Sequence, residues 1–262
     1  MITAVLKGGL GNQLFQISAT INLAVENKAP FAFDARTWGT RGGAASTFQA
    51  RNPHSYKETI YQKLPFKLLS YPNFIAYNEP HFHYKKIEFK TNMILNGYFQ
   101  SEKYFTNSED IIRKVFAIQG YKNKFGEKYG VDPRDAVSVH VRRGEYLKDS
   151  IHHPPCTAEY FVEAMKEFPD KKFLFISDDI EWCKQNFIGD KYMFSKNDTD
   201  IQDFYDLSCC ENNIISNSTF SWWGAWLNNN ESKKVIAPKI WFGPGHSNLD
   251  TRDLLPEKWI AL

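Results

Sequence analysis

The spacing of apolar and polar positions predicts strands alternating with helices along most of the chain. The run at 2–6, "ITAVL", predicts a strand. A helix is expected over 12–27, because Leu14, Ile17, Ile21 and Val25 fall on one face of a 3.6-residue period. "FAFDA" (31–35) predicts a second strand, and the polar, Gly-rich stretch 36–58 reads as a functional lid or an unstructured segment. "IEFKTNMILNGYFQ" reads as paired extended pieces, followed by a helix at 102–117. The charged segment 120–135, with Gly and Pro, closes the first half.

The second half alternates more regularly. "AVSVHVRR", "KFLFISDD", "KYMFS", "NIISNS" and "KKVIAP" read as strands. "TAEYFVEAMKEF", "IEWCKQNF", "DIQDFYDLSCCEN" and "TFSWWGAWLNN" read as the helices between them. Such alternation implies right-handed βαβ units and a parallel sheet, hence an α/β fold with domains at 1–130 and 131–262. Ligands of such sheets bind beyond the C-terminal strand ends, which selects residues 140–146, 177–179 and 216–220. There is no internal repeat and no low-complexity tract.

Composition narrows the class. A chain of 262 residues that is 42% hydrophobic and 24% charged is an ordinary globular enzyme, and its net charge of +2 argues against a nucleic-acid partner. The aromatic share of 16% suits either core packing or sugar stacking. No run approaches a membrane span, and the N-terminus lacks the pattern of a secretory signal. Cys156, Cys183, Cys209 and Cys210 form neither a disulfide framework nor a Cys-x-x-Cys pair. A cytoplasmic location is therefore expected, and the sequons at Asn197, Asn217 and Asn230 are taken as chance.

Four stretches could carry chemistry. "KGGLGNQLFQ" (7–16) places Gly9 and Gly11 as in a dinucleotide fingerprint, but Leu14 stands at the third glycine and no P-loop ending follows. In "VSVHVRRGEY", Val137, Val139 and Val141 alternate with Ser138, His140 and Arg142, so a histidine and a guanidinium project together at a strand end. That pair fits a phosphate site, or a surface charge cluster balanced by Glu145. "SNSTFSWWGAWL" puts Ser216, Asn217 and Ser218 before a helix, as an anion site or a plain N-cap. Trp222, Trp223 and Trp226 share the buried face of that helix. "DTD" (198–200) matches a metal-binding Asp-x-Asp, but its place before a helix favours capping.

In order along the chain, "GGLGNQLFQ", "NGYFQSEKYF", "VSVHVRRGEY", "FLFISDD", "NNIISNSTFSWWGAWLN", "VIAPKIWF" and "LPEKWI" resemble the motifs of bacterial galactoside α-1,2-fucosyltransferases, glycosyltransferase family 11. One departure is Glu145, where the family commonly has Asp after Arg-Arg-Gly. The resemblance implies a GT-B-like pair of Rossmann-type domains facing a cleft. The C-terminal domain would bind GDP-β-L-fucose and the N-terminal domain would lie on the acceptor side. It also implies no metal or other cofactor, and inverting transfer of fucose to the 2-hydroxyl of a galactoside. The acceptor would be a galactose-terminated oligosaccharide or a lipid-linked glycan, the latter placing the enzyme at the inner face of the membrane. Arg142 and His140 would stabilise the leaving GDP, and Glu145 would be the general base, with Asp149 second. Gly9, Gly11, Asn12, Gln13, Arg143, Asp178, Asn217, Ser218, Thr219 and Phe220 are implied substrate contacts, and Asp203 the reader of guanine. Two alternatives stay open: another GDP-fucose transferase, such as an α-1,6 enzyme, and a non-catalytic glycan-binding protein.

Overall fold

A computed structural model describes residues 1–36, 53–117 and 121–262. The chain forms two compact units, Met1–Ala117 with Leu249–Pro256, and Ile118–Asn248 with Glu257–Leu262. This division differs from the expected 130/131 boundary at two places. Helix α3 (Tyr121–Tyr129) packs on α6 (Asp200–Cys209) in the second unit, where Phe125 is fully buried beside Leu207. Residues 249–256 return to the first unit, where the Asp253 carboxylate accepts from the Tyr84 amide at 3.0 Å and Lys103 Nζ at 2.6 Å.

In the first unit, β1 (Ile2–Ala4), β4 (Ile75–Asn78) and β5 (Met93–Asn96) make a parallel sheet in the order β1-β5-β4. A second parallel pair joins β2 (Phe33–Asp34) to β3 (Phe66–Lys67). The expected extended pieces of 87–100 thus reduce to one strand, β5, which pairs with β1 and β4 rather than with its own neighbour. Helix α1 (Leu10–Glu26) begins two residues earlier than expected, because extended Gly9 is its N-cap. It is buried on nearly every side from Leu10 to Ala24, and of the four expected core residues only Val25 is exposed. Its other sides carry the buried polar residues Gln13, Gln16, Ser18, Thr20 and Asn22, so the apolar periodicity alone understated its burial. The helix expected at 102–117 is broken into two 3-10 turns and α2 (Glu109–Val115), since Phe105 leaves helical geometry and packs on Phe15. Of the expected lid, residues 37–52 lie outside the described residues, while Pro53–Tyr56 form a 3-10 turn.

The second unit follows the expected alternation. Strands β6 (Ala136–Val141), β7 (Lys172–Ser177), β8 (Tyr192–Phe194), β9 (Asn212–Ile214), β10 (Val235–Ala237) and β11 (Ile260–Ala261) form one parallel sheet in the order β11-β10-β9-β6-β7-β8. Helices α4 (Ala158–Met165), α5 (Ile180–Asn186), α6 and α7 (Thr219–Leu227) connect them. Strand β6 is buried on both faces, as a sheet covered by helices on both sides requires. Its valines pack with Phe161, Phe173 and Phe175, each contributing about 1.5–3 kcal/mol by leaving water. Trp222, Trp223 and Trp226 are core residues of α7, as their spacing predicts. Among the described residues, no helix is long and apolar enough to cross a membrane.

Candidate functional site

The sheet of the second unit starts at β6, runs outward through β7 and β8, and returns to the other side of β6 with β9. The junction of β6 and β9 is therefore its topological switch point, where connections diverge and leave a crevice beyond the strand ends. Two of the three stretches selected from the sequence, 140–146 and 216–220, meet there. Ser216 staples them: its hydroxyl donates to the His140 carbonyl and accepts from the Arg142 amide at 3.0 Å. Asn217 is fully buried, its amide donating to the carbonyls of Pro154 and Trp241 at 2.9 and 3.0 Å. These two residues build the site; contrary to expectation, Asn217 offers no free amide to a ligand. Ser218 differs. It is the N-cap of α7, yet its side chain makes no capping bond, which sets it apart from Thr157, Asp179 and Thr199 at the starts of α4, α5 and α6. Thr219 and Phe220 open α7 beside it, both partly exposed.

Arg142 is held by carboxylates on both sides of its fork, Nη1 at 2.9 Å from Asp178 Oδ2 and Nη2 at 3.1 Å from Glu145 Oε2. Its guanidinium also lies over the Tyr146 ring at 5.5 Å, and the Tyr146 hydroxyl donates to the Asn217 carbonyl at 3.1 Å. Asp178 accepts the Arg143 amide on its other oxygen, at 2.9 Å. It is thus placed to orient Arg142 rather than to meet a substrate. Gly144 makes room for it, since a Cβ there would lie 2.9 Å from Asp178 Oδ2. Arg143, expected to touch substrate, instead pairs with Asp179 at 3.2 Å and stacks over Trp182 at 4.0 Å. The two adjacent arginines therefore have different functions. Arg143 anchors α5, and Arg142 presents a cation at the switch point.

The His140 ring is buried against Phe220, with centroids 5.4 Å apart, and its Nδ1 has no hydrogen-bond partner among the described residues. Burial, opposed by the Asp178 charge and reinforced by Arg142, pulls its pKa down to about 3. The imidazole is neutral at working pH, so it can act as a neutral hydrogen-bonding group and not as a cation. Phe220 also meets Phe204 edge to face, which links this crevice to α6. There Asp203 Oδ1 accepts from Ser195 Oγ at 2.5 Å and from Asn197 Nδ2 at 2.8 Å. The same Asn197 amide donates to fully buried Asp206 at 2.6 Å, and Asp206 also accepts from Tyr129 at 2.6 Å and Lys128 at 3.2 Å. Burial raises the Asp203 carboxyl above its ordinary range, against the pull of Ser195 and Asn197. Lys128, Asn197 and Asp206 were not legible as site residues. Only an i, i+3 pair of acidic residues on one helix, Asp203 and Asp206, hinted at them.

In the first unit, the Gly-rich turn is fastened by side chains of α1. Gly8 has φ +78°, and a Cβ there would lie 2.4 Å from Asn12 Nδ2, so only glycine fits. Gln13 is fully buried, its amide donating to the Gly8 carbonyl at 3.0 Å while its Oε1 accepts from Tyr61 at 3.0 Å. Gln16 bonds both the amide and the carbonyl of Lys7, at 2.9 and 3.1 Å. Gln13 is therefore a strut of the loop rather than the substrate contact that the resemblance implies. Asn12, half-buried, accepts from Gln100 at 3.0 Å. Gly9 is the helix cap, and Gly11 lies within its first turn.

Of the remaining expectations, Thr199 caps α6 in place of either Asp198 or Asp200, and both aspartates are exposed. Asp149 accepts from His152 at 2.6 Å, which holds its carboxyl below the usual range and makes it a weaker base. None of the four cysteines is in a disulfide.

A family model described as glycosyl transferase family 11 matches residues 1–261. An α-1,2-colitosyltransferase of Escherichia coli is 31% identical over 100% of this chain and 99% of its own. The O-antigen biosynthesis glycosyltransferase WbnK of the same species is 30% identical, covering 68% of this chain and 63% of WbnK. A galactoside 2-α-L-fucosyltransferase of Caenorhabditis elegans is 26% identical over 88% of this chain and 70% of its own. Among solved structures, the α-1,6-fucosyltransferase NodZ soaked with GDP-fucose superposes with a TM-score of 0.53. The match spans 86% of this chain and 92% of that one at 14% identity, a likeness of fold that assigns the GT-B type.

Proposed function

The chain belongs to glycosyltransferase family 11, and from that premise we propose that it transfers L-fucose from GDP-β-L-fucose to the 2-hydroxyl of a galactoside, with inversion at the anomeric carbon. The observation that carries this reading is the position of Arg142 at the switch point of a Rossmann-type sheet, beside a helix whose N-cap hydroxyl is not engaged in capping. As the bond from the fucose C1 to the diphosphate breaks, negative charge grows on GDP. Arg142, Ser218 and the first amides of α7 are preorganised donors for that charge. His140 adds a neutral hydrogen bond. Asp203, whose Oδ1 is held by Ser195 and Asn197, would accept from the guanine edge, and a base without matching donors would forgo those bonds to the half-buried carboxylate.

In this reading the diphosphate takes the place of the Glu145 carboxylate on Arg142 Nη2. The released carboxylate would receive the proton that the acceptor hydroxyl loses on attacking C1. Glu145→Gln should then abolish most transfer while donor binding and slow hydrolysis of GDP-fucose persist. A parallel fall in transfer, hydrolysis and GDP affinity would show Glu145 to be a positioning residue for Arg142.

A second donor is favoured by the match to the colitosyltransferase, which spans the whole chain. Colitose is L-fucose without its 3-hydroxyl, so the two readings differ by one hydrogen-bonding group on the donor sugar. The acceptor proposed is a galactose-terminated oligosaccharide or lipid-linked glycan on the cytoplasmic side of the membrane, a reading supported by the O-antigen role of WbnK. No metal or other cofactor is proposed, because Arg142 and the N-terminus of α7 supply the positive charge a divalent ion would bring. Incubation with GDP-activated fucose or colitose and a panel of β-galactosides, with linkage read by NMR, tests the whole proposal. An α-1,2 fucosyl product in excess EDTA is the expected result. A colitosyl product alone would replace the donor, and activity dependent on added manganese would overturn the metal-free mechanism.

A further inference from the structure

The motif "NGYFQSEKYF" enters none of the chemistry above, yet its first residues carry an unusual backbone. Phe99 is fully buried with φ +54°, a left-handed conformation rare for a bulky side chain. Next to it, Gln100 is buried, and its Oε1 has no hydrogen-bond partner among the described residues. Strain and an orphaned acceptor in adjacent residues mark places where structure is held for function.

What holds this turn is Glu79. Strands β4 and β5 pair to their ends, Asn78 opposite Asn96, and Glu79 is the residue that follows. Its amide donates to the Asn96 carbonyl at 2.9 Å, and its carboxylate accepts two consecutive backbone amides, Tyr98 at 2.6 Å on Oε2 and Phe99 at 2.9 Å on Oε1. These two bonds hold the backbone on either side of the Tyr98 Cα, directly before the left-handed Phe99. Gly97 permits the approach, since a Cβ there would lie 2.4 Å from Glu79 Cβ and 2.6 Å from Oε2. Burial raises the Glu79 carboxyl above its ordinary range, while the two amides and Lys7 pull it back.

The turn lies at the C-terminal end of this parallel sheet, the end at which such sheets bind ligands. Around it stand half-buried polar groups. Lys7 Nζ donates to Asn96 Oδ1 at 3.1 Å and lies 4.9 Å from the centre of the Tyr98 ring, Asn96 donates to Asn78 at 2.8 Å, and Gln100 donates to Asn12. An ammonium, several amides and a partly exposed aromatic ring around one bend are the chemistry that recognises the hydroxyls and apolar face of a pyranose.

We propose that Glu79 is a positioning residue that locks the turn at 97–100, so that Lys7, Asn12, Asn96 and Tyr98 form a sugar-hydroxyl subsite in the first unit. The inference rests on the glycosyltransferase reading, and the sugar is either the acceptor or the transferred one. The two sources separate kinetically: an acceptor subsite moves the KM for the galactoside, and a donor subsite moves the KM for the nucleotide sugar.

The test is Glu79→Gln, which keeps size and shape but replaces one carboxylate oxygen by an amide that cannot accept. KM for each substrate, kcat, and GDP affinity by calorimetry are compared with the parent enzyme. A rise of about tenfold in the KM of one sugar substrate is expected, with GDP affinity unchanged because the nucleotide groups belong to the second unit. Gly97→Ala, which pushes the same carboxylate from the other side, should reproduce that split. Unchanged kinetics in Glu79→Gln, or an equal loss of kcat and GDP affinity through general unfolding, would overturn the proposal. A parent enzyme that transfers no sugar would instead refute the glycosyltransferase reading. The subsite is then judged by NMR titration of parent and Glu79→Gln with a β-galactoside, weaker binding to the variant supporting it and equal binding overturning it.

Discussion

Replacing Arg142 by lysine is expected to lower kcat about 100-fold or more, the scale of losing one preorganised donor at a developing negative charge. The substitution keeps a positive charge but loses the planar fork, and the fork is the feature that the structure organises. Asp178 holds one end of it at 2.9 Å, Tyr146 supports its face, and Gly144 leaves space for Asp178. A lysine ammonium is a single point without a second arm to offer a diphosphate while Asp178 holds the first. The far-UV circular dichroism spectrum should not change, because the Arg142 amide keeps its bond to Ser216 whatever the side chain. Turnover near the parent rate in Arg142→Lys would show that the charge alone suffices and that the fork geometry is incidental.

The second large effect is on stability and lies at His140. Its folded pKa, about 3, is below the ordinary value of 6.5 because burial disfavours the imidazolium. Between those values the unfolded chain binds a proton that the folded chain refuses. Stability is therefore lost as pH falls from about 6.5 towards 3, by about 1.4 kcal/mol per pH unit from this group, and is unaffected by it above that window. His153 and His246, both lowered by burial, act in the same direction. Urea denaturation of the parent and of His140→Phe across pH 4.5–7.5 measures the term. The phenylalanine variant should show a shallower acid slope while matching or exceeding the parent at pH 7.5, since it also removes an orphaned buried Nδ1. Identical slopes would place a proton on His140 in the folded protein.

The Arg142 prediction could be framed from the sequence; the one at His140 could not. Alternation in "VSVHVRR" places His140 and Arg142 on one side of a strand end, but it carries no information about depth. Whether a histidine there is a solvated cation or a buried neutral ring depends on Phe220, which comes from a helix 80 residues later. The same limit explains Arg143. The resemblance implied a substrate contact there, whereas Asp179, the N-cap of α5, and Trp182 on that helix claim it for packing. It also explains Gln13 and Asn217. Both have the chemistry of ligand contacts, and both are buried among backbone groups that need them.

By itself the sequence determined the α/β class, the parallel sheet of the second unit, the tryptophan face of α7 and the stretches that meet at the switch point. These rest on local periodicity and on the rule that parallel strands bind at their C-terminal ends, both readable without distant contacts. Family membership was legible too, in seven ordered motifs and a match over residues 1–261. Tertiary structure alone decided which polar side chains are struts and which face outward, because burial and hydrogen-bond partners are long-range properties. It also decided that charged α3 packs on α6 in the second unit, through Phe125, that residues 249–256 return to the first, through Asp253, and that Glu79 binds the amides of Tyr98 and Phe99. In each case a single side chain meets a partner supplied by distant chain, and no local pattern encodes such a meeting.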